Sequence, residues 1–159
     1  MRLALVLVCL LPLSALAQKK PPPGPSRDAR VEGTLNALGY EYEIDEDGDY
    51  KLIFETDNGR SHIVWVRPTT DRLLDLEVRE VFAIANNYIG GVPGGIPPRL
   101  LEDNAQFILG SWAIEATTIL FVVKIRANAT RAEMEAALLA TASTADAMEE
   151  ELTGGTDDW

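Results

Sequence analysis

Two short strings, Asp47-Gly48 and Asn58-Gly59, constrain the middle of this 159-residue chain more than anything else in it. Both dipeptides accept positive φ, and between β-prone runs they signal an antiparallel hairpin. The runs at 40–44, 50–55 and 61–67, with turns at 45–49 and 57–60, therefore predict a three-stranded meander. Side chains alternate across a strand. Val64 and Val66 share one face while Ile63 and Trp65 take the other, and Leu52 and Phe54 oppose Ile53. With both faces apolar, the sheet is expected to be covered on both sides, by helices or by another subunit.

The flanking segments supply helices and two further strands. Asp28 can cap a helix over 28–39 whose stripe is Val31, Leu35 and Leu38 and whose stop is Gly39. Val78, Val81, Phe82, Ala85 and Tyr88 recur at helical spacing, predicting a second helix over 75–89 with Asp75 and Arg79 as a surface pair. A loop at 92–96 follows, and Pro97-Pro98 can open a short helix through Asn104. Strands are expected at 107–114 and 117–126, joined by a tight turn at Glu115-Ala116. In the second of these, Ile119, Phe121, Val123 and Ile125 oppose Leu120 and Val122. Thr130 and Glu133 form a capping box ahead of a final helix carrying Met134, Leu138, Thr141, Ala145, Met148 and Leu152, closed by Gly154-Gly155. The expected fold is α+β: a twisted antiparallel sheet of about five strands with flanking helices, in the order helix, three strands, helix, two strands, helix. It forms a single domain over 28–153 with an acidic tail at 154–159.

Upstream, Arg2, an apolar run over 3–11 and Ala15-Leu16-Ala17 have the layout of a secretory signal peptide cut after Ala17. The run is too short for a bilayer span, which needs ~20 apolar residues. Cys9, the only cysteine, lies inside the leader, so the processed chain has no disulfide or thiol chemistry. Residues 18–27 read as a proline-rich tether. Without Arg2 the chain holds 13 basic and 25 acidic residues, a formal charge of −12. Such a surface repels nucleic acid and anionic lipid. The expected setting is the periplasm of a Gram-negative bacterium, with no membrane attachment after cleavage.

Few residues invite chemistry. The Asp45, Asp47 and Asp49 turn suggests calcium, but either EF-hand register leaves position 12 to Phe54 or Thr56, so a solvated turn is expected. His62 is the only histidine and is read as structural, with no metal site. The carboxylate pairs Glu77 with Glu80, Glu102 with Asp103, and Asp146 with Glu149 and Glu150 are read mainly as solvated, with Asp146 nearest a buried side. Asn128-Ala129-Thr130 matches a glycosylation site, but Thr130 is better explained as a cap.

Segment 35–40 before the acidic turn, Ile63-Val64-Trp65-Val66, the stretch from Val81 to Ala85, Leu100-Leu101-Glu102-Asp103-Asn104 with Gly110-Ser111-Trp112, and Ala145-Asp146 together resemble the YbjN-type bacterial sensory-transduction regulators. The resemblance spans about 28–153. It implies an α+β fold similar to type III secretion chaperones, which are acidic, commonly dimeric and bind protein clients. It brings no catalytic residues. The secretory leader is a departure from those cytoplasmic chaperones. The expectation is a non-enzymatic protein-binding module, self-associating as a homodimer, with Ile63, Trp65, Leu120 and Val122 on the binding face and no cofactor. The alternatives are a small hydrolase using Asp146 or Glu102, and a calcium-stabilised module.

Overall fold

A computed structural model describes residues 27–56 and 59–159. The leader expected at 1–17 with its Cys9, all of the tether expected over 18–27 except Arg27, and the Asp57-Asn58 half of the second turn lie outside the described residues. The elements are α1 (Ala29–Leu38), β1 (Glu43–Ile44), β2 (Tyr50–Glu55), β3 (Ser61–Val66), β4 (Asp71–Leu73), β5 (Leu76–Asn87), α2 (Ile96–Asn104), β6 (Ser111–Glu115), β7 (Thr118–Arg126) and α3 (Arg131–Thr153). The strands form one open antiparallel sheet in the order β1-β2-β3-β5-β7-β6, with β4 added to β5. The α+β class read from the sequence is the observed one.

Local signals act as their chemistry dictates. The Asp28 carboxylate accepts from the Arg30 N–H, and Gly39 ends α1 at φ 78°. Asp45 Oδ1 accepts from the backbone N–H groups of Asp47 and Asp49 at 3.0 and 2.9 Å, which closes the first hairpin around Gly48. Both halves of the Thr130–Glu133 capping box are made, and Gly154 terminates α3 at φ 71°. Pro97 and Pro98 lie in the first turn of α2.

One element changes type, and β4 is an additional strand, so the sheet has seven strands rather than about five. Residues 76–87 form the long inner strand β5 rather than a helix. Arg79, Val81, Ala83 and Ala85 are buried on one side of it, and Phe82 and Ile84 lie half-buried on the other. An inner strand with apolar residues on both sides reads as a nearly unbroken apolar run, which satisfies helical spacing as well as alternation. Arg79 is consequently not in a surface pair with Asp75. It is fully buried and binds Asp28 at 2.5 Å.

Helix α3 lies across β3, β5 and β7, α1 packs beside it, and α2 sits against β6. All three contribute to one core. Leu35 from α1 and Leu138 from α3 meet Leu52, Val64, Val81, Ile119 and Phe121 from the inner face of the sheet. Each large side chain so buried contributes roughly 1.5–3 kcal/mol. Ala137, Ala142 and Ala145 are buried on the sheet-facing side of α3 and keep it slim there.

Candidate protein-interaction surface

The outer face of the sheet takes no part in that core. Strand pairing aligns Lys51, Trp65, Phe82, Val122 and Ser111 in one row across five strands. A parallel row holds Ile53 opposite Ile63, Ile84 opposite Leu120, and Leu120 opposite Ala113. None of these residues belongs to the core cluster or packs against it. The helices thus cover one face, and the other, for which the sequence allowed either helices or a second subunit, carries no helix among the described residues.

Trp65 stacks on Phe82 with ring centroids 5.5 Å apart and planes 10° from parallel. The Arg67 guanidinium lies 5.0 Å from the Phe82 centroid. Glu80 ties two cations to the same face, Arg67 at 2.8 Å and Lys124 at 3.0 Å. Arg67 and Lys124 thus gather against Glu80, and Lys51 lies on the same face, on a chain whose formal charge is −11. A groove of about 510 Å³ runs beside Val122 between Glu80, Ser111 and Lys124.

All four expected binding residues, Ile63, Trp65, Leu120 and Val122, lie on this face. They are not equally accessible: Leu120 is buried, 5 % exposed, while Ile63, Trp65 and Val122 are half-buried. Phe82 and Ile84, which join the β3 and β7 pairs into one band, were missed because their segment was read as a helix.

A second constellation lies on the opposite, helical side. Arg60, immediately before β3, donates through Nε to Asp146 Oδ1 at 2.8 Å and through Nη2 to Glu149 Oε2 at 2.7 Å. Its Nη1 reaches the carbonyls of Gly155 and Thr156, and the Asp158 N–H donates to Glu149 Oε1. His62 follows on β3, fully buried, with Nδ1 3.4 Å from Glu149 Oε2. Burial pushes the Glu149 carboxyl up, with Asp157 and Asp158 adding to the rise. Burial also pushes His62 down, against the pull of Asp146 and of the nearby Ile84 backbone. Asp146 and Glu149 are therefore not the solvated pair expected; α3 presents them at i and i+3 toward the β3 entry. Glu102, the other acid considered for hydrolysis, is exposed on α2 and is not brought to Asp146.

No family model matches this chain, and no curated protein matches it.

Proposed function

We propose that this protein is a non-enzymatic protein-binding module, chaperone-like or regulatory, that self-associates through the outer face of its sheet. The observation that carries this reading is the apolar band of Ile53, Ile63, Trp65, Phe82, Ile84 and Val122, outside the core that the helices close. The band crosses four strands, β2, β3, β5 and β7, about 15 Å, and is two same-face residues deep, about 7 Å, along β3 and β5. A stable interface of ~800 Å² per partner therefore has to include the charged residues around the band. A second copy is a suitable occupant because sheets pack face to face at ~10 Å with interdigitating apolar rows. Lys51 and Lys124 lie within the face, and Glu43, Glu55 and Glu115 stand at its rim on the same side. A two-fold mate can set each rim against the other's basic centre. The YbjN resemblance and the leader support the same reading in a periplasmic setting.

Sedimentation equilibrium tests it. The purified protein is expected at twice the chain mass. Trp65→Ala with Val122→Asp is expected at one chain mass with an unchanged far-ultraviolet dichroism spectrum. A wild type that stays monomeric throughout its soluble range, or a folded double variant that still dimerises, would overturn the proposal.

A further inference from the structure

The buried cluster is more than an ion pair. One side-chain oxygen each from Asp146 and Glu149 and one imidazole nitrogen of His62 lie within 4.8 Å of one another, all three residues buried. Neither His62 nitrogen makes a well-aligned hydrogen bond among the described residues, although the side chain has no exposed surface, Nδ1 lies 3.4 Å from Glu149 Oε2 and the Ile84 backbone is near. A buried imidazole without a well-aligned partner forfeits hydrogen bonds it would make in water, so it stands as a ligand without its acceptor. Two carboxylates face one guanidinium here, and Asp157 lies a further 3.7 Å from Arg60. The cluster therefore carries excess negative charge among largely buried side chains, which calls for a cation.

An entry path exists. A cavity of about 400 Å³ reaches Asp146 between β2 and α3, and Glu55, Asp146 and Glu150 are the charged residues lining it. No basic side chain lines it, so its field favours cations. The hydroxyl of Thr56, also on its wall, is buried without a partner.

We infer that His62, Asp146 and Glu149 form a site for a divalent transition-metal ion of the zinc class. One imidazole and two carboxylates suit zinc, manganese, cobalt or ferrous iron. Calcium and magnesium are poorly served, because they require six or more oxygen ligands or retained water. Ligand bonds of about 2.0–2.2 Å place ligand atoms roughly 3.4 Å apart, so the three groups would draw together by about 1 Å. Arg60 then serves as the outer partner that holds both carboxylates in orientation, as hydrogen-bonded second partners do in metal sites. This inference departs from the expectation that the lone histidine has no metal role, and it does not depend on the outer-face proposal.

His62 being the only histidine makes the test direct. Untagged protein, stripped with a chelator and exchanged into metal-free buffer, is titrated with zinc chloride. Nitrogen-15 correlation spectra then follow the single imidazole. The expected result is saturation at one zinc per chain, with a shift of one His62 ring-nitrogen resonance and a raised melting temperature. His62→Gln is expected to lose the bound zinc recovered after gel filtration while keeping its dichroism spectrum. Imidazole resonances that do not move when zinc is added overturn the inference, whether zinc stays free or collects on surface carboxylates. The spectrum of the unaltered protein decides the matter even if His62→Gln fails to fold.

Discussion

Arg79 spends all of its charge inside the protein. Its guanidinium donates to the carbonyls of Arg67 and Pro68 at 2.5 and 2.8 Å and to Asp28 Oδ2 at 2.5 Å. It thereby fastens the cap of α1 to the bend between β3 and β4. Arg30 and then Arg79 hold the Asp28 carboxyl well below the usual carboxylate range. The stabilisation from this contact is present at neutral pH and lost only in strong acid. Asp49 behaves in the opposite way. Burial first, then Asp45, pushes its carboxyl up to about 6 from an ordinary 3.8. Between those values the folded state holds a proton that the unfolded chain has released, so Asp49's contribution to stability falls as pH rises through the window. Asp49→Asn is expected to stabilise the protein near neutral pH by about 1–3 kcal/mol and to give no gain below about pH 4. Urea unfolding at several pH values checks this. The Asp45 turn was legible because its hydrogen bonds span two to four residues. Arg79 with Asp28, 51 positions apart, was not, because pattern reading sees only neighbours.

Turns and caps carry most of what the chain says about its elements. Gly110, just before β6, has φ 86°, and an added Cβ would lie 2.6 Å from two ring carbons of Phe121 and 2.8 Å from Val123. Phe121 is fully buried and cannot retreat. Gly110→Ala is therefore expected to cost about 2–4 kcal/mol, the sum of a left-handed backbone and an overpacked core, measurable as a fall in the denaturation midpoint. The first and last helices were legible to within a residue or two because a cap and a glycine stop bracket each of them. β5 was not legible. Its run from Val81 to Ala85 is apolar at every position, so the period that separates helix from strand is absent where it was needed. The three-residue β4 is too short to show a period, and it pairs only with the start of β5.

At the level of the whole molecule, the sheet is sided: one face is closed by α1 and α3 and the other is left to the Trp65 and Phe82 stack. That both faces are apolar was plain from the alternation in β2, β3 and β7. Which face the helices take depends on packing between segments far apart in sequence. The closing of the Arg60 cluster by the last residues is likewise a long-range feature. Removing residues 155–159 takes the acceptors from Arg60 Nη1 and the donor from Glu149 Oε1. That deletion is expected to cost about 1–3 kcal/mol, read by urea unfolding against the intact chain. An unchanged midpoint would mean that the tail contacts contribute nothing net.

The distance along the chain between Arg60 and its clasp also sets a schedule. Glu149 is 89 residues downstream and Thr156 is 96. At ~5–20 residues per second, a ribosome needs about 5–20 s to supply the far half after the near half has emerged. Throughout that interval the nascent meander has β2 and β3 but no lid, and a positive charge at its end with no counterpart. The domain can complete itself only when synthesis of these segments is over.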